Sequence, residues 1–289
     1  MKNLSVLFIL ICSFFVSCKS SFEKVQKSKD YPYKLTKANE YFEKKQYGRA
    51  NSLYEELLTI YKGTKNFESI YYRYAYSFFN QRDYLAASYH FKNFADLFPK
   101  SDKSEECEYL NSLCLYYMSP DYTLDQTNTV KSIGEMQAFV NKHPDSKRTK
   151  DANKMIDESR SKLEQKDAYS AELYYKIGEY RAAAVAFEQI IRKYPDSKSV
   201  DYYLYMIIDA SSKYAKNIIP SIQEQRYADV QAEYNNFIKK KKKSQFRSEI
   251  EKINVLSSRA LKKLSKLWWT IRSYLLVLQT QPLKQETCP

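Results

Sequence analysis

The sequence predicts an all-α protein in which about five helix pairs stack into a solenoid. Three observations carry this. Only 4 of 289 residues are glycine, and that scarcity, on a Lys/Glu-rich background, favours helices over turn-rich sheets. One amphipathic segment recurs along the chain. Several recurrences end at a proline-marked turn, where proline stops a helix and a following Asp or Ser can cap the next.

Residues 1–17 read as an export signal. Lys2 gives a positive start, and Leu4 to Val16 is apolar apart from Ser5 and Ser13, too short to span a bilayer as a helix. Small Ser17 precedes Cys18, so FVSC at 15–18 resembles a bacterial lipoprotein signal, in which the cysteine becomes the N-terminus and carries the lipid. That resemblance implies an acylated Cys18 and a tether over 18–30; the plainer alternative is a secreted protein whose Cys18 is only a thiol. Stable anchoring takes more than one acyl chain, each buried CH₂ contributing about 0.8 kcal/mol.

The recurring segments are QYGRANSLYEELLTIY from Gln46, DYLAASYHFKNFADLFPKSD from Asp83, EYRAAAVAFEQIIRKYPDSK from Glu179 and RYADVQAEYNNFIKKKKKSQ from Arg226. Tyr47, Tyr84, Tyr180 and Tyr227 open them. Three residues on stand Ala50, Ala87 and Ala183, small enough to let paired helices approach; Val230 breaks the rule. Pro99 and Pro195 close two copies, and FVNKHPDSK around Pro144 implies another, with Thr129 at its degenerate start. The anchors at 47, 84, 129, 180 and 227 are 37, 45, 51 and 47 residues apart. Helical patterns precede them at 34–44, 68–79, 168–177 and 201–216. The arrangement resembles tetratricopeptide repeats with lengthened intervals. N-terminal repeats occupy 31–118, a loop (Ser119 to Thr129) and degenerate middle repeat 119–166, C-terminal repeats 167–264, and an atypical tail 265–289. A charged helix is expected over 150–166.

Anchor, repeat number and length together resemble the BamD family, the tetratricopeptide lipoproteins of the outer-membrane β-barrel assembly machinery. The resemblance runs over about residues 18–264 and rests on FVSC, on YFEKKQYGRANSLYEELL from Tyr41 and on ELYYKIGEYRAAAVAFEQIIRKYPDS from Glu172. It implies a non-enzymatic protein on the periplasmic face of the outer membrane, joined to a barrel protein and to nascent barrel substrates. Carried over by region, it implies substrate contacts at Tyr41, Phe42, Tyr47, Tyr71, Tyr72 and Tyr74. On the same basis it implies partner contacts at Arg181, Arg192, Tyr227, Glu233 and Tyr234. Another cell-envelope repeat lipoprotein, serving cell-wall or secretion proteins, is the alternative. With 28 tyrosines in the chain, runs such as YYRYAYSFF hold more rings than one helix face buries, so some are expected to line a groove.

No enzymatic constellation is present. His90, expected on a helix surface, and His143, in a turn, lack Cys or His neighbours at metal-ligand spacing. No Gly-rich phosphate loop or G-x-S-x-G elbow occurs, and no catalytic residue, metal or cofactor is assigned. Cys107 and Cys114, seven apart, would sit about 10.5 Å apart on one helix, beyond the roughly 7 Å a disulfide needs, so they read as buried apolar residues.

The net charge of +13 is uneven: from Lys239 onward thirteen Lys/Arg face three Glu. The run FIKKKKKSQF can meet anionic headgroups or form a solvated turn, with Lys242 and Lys243 where earlier copies place Pro and Asp or Lys. Export argues against nucleic acid as partner. Beyond Lys266 the chain departs from the family pattern. Its tail, too short and broken to span a membrane as a helix, is read as a disordered or artefactual extension, or as an element that docks on the last repeat or lies in an interface, and no site is assigned to it.

Overall fold

The structure, a computed structural model, describes residues 22–241 and 243–280, and side chains through Ser273. Among the described residues there are twelve helices and no strands. They are α1 (22–27), α2 (Tyr31–Glu43), α3 (Tyr47–Ile60), α4 (Phe67–Asn80), α5 (Tyr84–Leu97) and α6 (Ser104–Tyr117). There follow α7 (Thr127–Lys142), α8 (Thr149–Lys176), α9 (Tyr180–Lys193), α10 (Val200–Asn217), α11 (Pro220–Lys240) and α12 (Arg247–Thr280). Five pairs, α2/α3 to α10/α11, match the expected repeats in a tetratricopeptide-like solenoid arrangement. The helices fall into two compact units that divide between Leu163 and Glu164. In the first, α2 to α7 each pack on their sequence neighbours; in the second, α9 to α12 do.

The recurring tyrosine marks a backbone device. In three pairs the first helix ends in a left-handed residue two positions before the anchor: Lys45 (φ 59°), Arg82 (φ 62°) and Gly178 (φ 88°). The next N–H then reaches back five residues, Gln46 to Tyr41, Asp83 to Phe78 and Glu179 to Tyr174, at 2.8–3.0 Å. This is a Schellman cap, which satisfies carbonyls the helix end leaves open. Only the third copy uses glycine, so Lys45 and Arg82 carry a left-handed penalty of about 1–2 kcal/mol each. Replacing either by glycine is expected to raise unfolding free energy by about 0.5–1 kcal/mol, and Gly178→Ala to lower it by about 1 kcal/mol, in urea melts. In the fifth pair Pro220 starts α11 early, at the first helical turn where proline is tolerated, so Tyr227 lies two turns inside rather than at the start.

The proline-marked turns repeat as closely. Ser101, Ser146 and Ser197 each accept the N–H two residues on, at 2.9–3.1 Å. Each hydroxyl also donates to a carboxylate on an earlier helix: Glu68, Glu105 and Glu164. Ser244 accepts from Phe246 N–H at 3.3 Å in the lysine-rich copy, so a serine closes that turn without the proline.

Ala50, Ala87, Ala183 and also Val230 are wholly buried, the close approach the pattern implied. In the first unit Leu53, Tyr54 and Leu57 fill one cluster, and Phe91, Phe94, Cys107 and Cys114 a second. Burial pushes both thiols up to about 12, and both are free. Lys34, 1 % exposed, is held by Glu56 at 2.7 Å and the Gln26 carbonyl at 2.9 Å. His90 departs from its expected surface position. It stacks on Phe78 at 5.1 Å and lies edge-on to Tyr74 at 4.8 Å, because Tyr71, Tyr74 and Phe78 of α4 enclose it, and burial lowers its pKa. The charged pattern over 150–166 is not a separate helix; it runs straight into 168–176 as α8.

Candidate functional site

The N-terminal aromatics form packing clusters. Tyr41 is half-buried, edge-on to Phe22 at 5.6 Å, with the Arg49 guanidinium 5.7 Å over its ring. Phe42 meets Tyr47 edge-on at 5.5 Å and carries Arg73 at 5.2 Å. Tyr74 is 7 % exposed and packs on Phe78. Tyr71 places its hydroxyl 3.3 Å from His90 Nδ1. Tyr72 donates to Glu106 at 2.9 Å and Tyr76 to the other oxygen at 2.7 Å; burial pushes the Tyr72 phenol up to about 12. These hydroxyls are engaged inside the fold. The large apolar side chains that do face solvent on α5 are Leu85, Tyr89 and Leu97, the first two one turn apart and opposite buried Ala87 and Phe91. The helical period after Tyr84 was the signal that could have found them.

The second unit brings two of the C-terminal candidates together. A cavity of about 160 Å³ lies between α9, α10 and α11, lined by Arg181, Glu188, Ser211, Arg226, Asp229 and Glu233, with Ala184, Val185 and Tyr214. The repeat builds this: three helices meet where small Ala183 and Ala184 of α9 leave room, and polar residues of α10 and α11 face the gap. Arg226 is occupied by Asp229 at 2.9 Å. Glu233 accepts from Ser211 Oγ at 3.3 Å, while its Oε2 is buried without a hydrogen-bond partner among the described residues. Desolvation, reinforced by Glu188 and Asp229, raises this carboxyl to about 7. An unpaired buried carboxylate oxygen is costly, and a cation or N–H donor entering the cavity would relieve the cost.

The other candidates do not line it, although Arg192 reaches its wall through Glu188. Arg192 is exposed and pairs with Glu188 at 3.7 Å. Tyr227 is 7 % exposed, and Tyr234 packs on the cluster of Ile208, Val230, Phe237 and Ile250. Ser211, Asp229 and Glu188 complete the cavity but were not singled out by the sequence, since they come from three helices and share no motif.

The first unit holds a cavity at the corresponding place, between α5, α6 and α7, of about 180 Å³. Its lysines are paired, Lys92 with Glu135 at 3.0 Å and Lys142 with Glu108 at 2.6 Å, and Asn111 Nδ2 donates to Glu135 at 3.3 Å. The open valence at Glu233 distinguishes the second cavity. Cys18 lies outside the described residues. Among the described residues no group of His, Cys, Asp and Glu is arranged to hold a metal.

Comparison with known proteins agrees with this architecture. The model of the YfiO outer membrane lipoprotein family matches residues 27–213 and again 172–259. The putative outer membrane protein assembly factor BamD of Aquifex aeolicus (strain VF5) is 26% identical over 180 residues, covering 62% of this chain and 56% of that protein. The outer membrane protein assembly factor BamD of Caulobacter vibrioides is 23% identical over 117 residues, 40% of this chain and 38% of that protein. The chain thus spans little more than half of the first relative and less of the second. The two family matches together cover most of both units, α2 to the middle of α12, and the chain therefore belongs to the YfiO family of outer membrane lipoproteins.

Proposed function

We propose that this lipoprotein is a non-enzymatic scaffold of outer-membrane β-barrel assembly. It is held at the periplasmic face by acyl chains on Cys18. Its second unit binds the central barrel protein of the machinery, and its first unit contacts nascent barrels. The family match across both units supports this most strongly. The cavity at Arg181 and Glu233 supports the partner assignment. Its lining includes an exposed guanidinium, Arg181, and a carboxyl with one unpaired oxygen, Glu233, a combination that rewards a partner carrying both a carboxylate and a cation or N–H. The exposed Leu85 and Tyr89 of α5, next to the half-buried tyrosines of α4 in sequence, support the substrate side less directly.

Affinity capture in mild detergent from the native envelope tests the reading. The wild-type chain is expected to recover a large outer-membrane barrel, and its N-terminal peptide to begin at Cys18 with acyl mass. Arg181→Glu is expected to reduce barrel recovery at least tenfold without changing acylation. Recovery of cell-wall or secretion proteins in place of the barrel would reassign the scaffold to another envelope assembly.

A further inference from the structure

The family match stops at residue 259, but α12 runs on to Thr280. Between Lys252 and Thr280 the sequence holds six Lys/Arg and no Asp or Glu. At 3.6 residues per turn, Arg259, Lys262, Lys263 and Lys266 form one continuous stripe, and all four are exposed. Leu256 (62 % exposed) and Leu267 (55 %) border that stripe on one side, and Trp269 (74 %) on the other. Leu261, Leu264 and Trp268 are half-buried on the remaining face. The first part of α12 is fixed to its unit by buried Ile250 and by Ser257 and Ser258, which meet Ser212 and Gln231. An exposed basic stripe with large apolar residues at its edges is wasteful against water. It matches a surface that has anionic phosphates outside and an apolar layer beneath. No described helix is long and apolar enough to cross a membrane, and Arg272 interrupts the apolar run Leu267–Leu278, so the segment fits lying along an interface.

We propose that residues 256–273 of α12 are a second membrane contact of this chain, a helix that lays its basic stripe on an anionic phospholipid surface with Leu267 and Trp269 reaching the acyl boundary. Tryptophan suits that depth because its ring is apolar and its N–H is polar. The contact is additional to the acyl anchor and independent of any barrel partner.

The test uses the mature full chain carrying Cys18→Ser, so that no acyl chain contributes. It is floated with vesicles of phosphatidylcholine alone or mixed with phosphatidylglycerol, while tryptophan emission is recorded. Binding is expected only to the anionic vesicles, with a blue shift, and is expected to weaken as salt is raised. Gln at all four of Arg259, Lys262, Lys263 and Lys266 is expected to weaken binding by at least about 30-fold, taking a conservative share of the effect per basic residue near a charged surface. These side chains are exposed, so unchanged far-UV circular dichroism is expected as the folding check. Trp269→Ser is expected to weaken binding several-fold and leave its salt dependence in place. The proposal is overturned if the wild-type chain stays with neither vesicle, or binds both alike. It is equally overturned if the fourfold variant binds as the wild type does. Self-association in light scattering without flotation would assign the face to a second copy instead.

Discussion

Phe187→Ala is expected to destabilise the second unit by about 3–5 kcal/mol, the range for truncating a buried phenylalanine. Phe187 is wholly buried on α9. Its ring lies 5.9 Å from Tyr203 and 6.3 Å from Tyr202 of α10. It sits one turn from Ala183 and Ala184, the small residues that bring α9 against α10, and next in sequence to Glu188 on the cavity wall. Removing it leaves a void where two helices must keep their spacing, so the loss reaches the cavity as well as the core. At about 2–4 °C per kcal/mol for a chain of this size, calorimetry should show a downward shift on the order of 10 °C. An unchanged melting profile would mean that the ring is not packed as described.

The second large effect concerns pH. Glu233 has a folded pKa raised from 4.5 to about 7, first by desolvation. Its folded form therefore holds a proton more tightly than its unfolded form. The stability that proton supplies is complete below pH 4.5 and is lost as pH rises through about 7. Between those values the folded state binds more protons, so unfolding free energy falls with pH. The size is on the order of 2–3 kcal/mol, reduced from the full shift because the residue keeps part of its surface in water. Glu233→Gln stays neutral, so its stability curve should be flatter over this window and should lie above the wild type at pH 8. Parallel curves for the two proteins would remove the argument for a strained carboxyl. The same linkage bears on binding. A partner cation that pairs with Oε2 favours the ionised form, so affinity for a cationic partner should increase from pH 6 to 8.

Much of the fold was legible because it repeats. Tyr47, Tyr84 and Tyr180 announce the same three-residue turn, and Pro-x-Ser announces the turn between pairs, since each motif is a local solution to ending a helix. The small residue three positions on reports helix contact directly. The join of 150–166 to 168–176 was not legible, because nothing in a polar helix marks where one amphipathic pattern hands over to another. The early start of α11 was missed for a related reason: Pro220 sets the boundary by backbone geometry, and the anchor tyrosine does not.

The site was legible in part. Arg181 and Glu233 were named from the family resemblance and do line one cavity, but Tyr227 and Tyr234 pack into the core beneath α11. A tyrosine serves equally as interhelical filler and as contact surface, and only the neighbouring helix decides which. Tyr72 and Tyr76 illustrate this, both hydroxyls ending on Glu106, thirty or more residues away. The unpaired oxygen of Glu233 depends on three helices at once and has no sequence signature.

The central claim is tested most directly by titrating the purified soluble chain with the periplasmic portion of the assembly barrel protein from the same organism, in a calorimeter near neutral pH. The account predicts saturable one-to-one binding that Arg181→Glu weakens at least tenfold while leaving the melting temperature unchanged. Absence of binding by a folded wild-type chain, or equal binding by the variant, would contradict it.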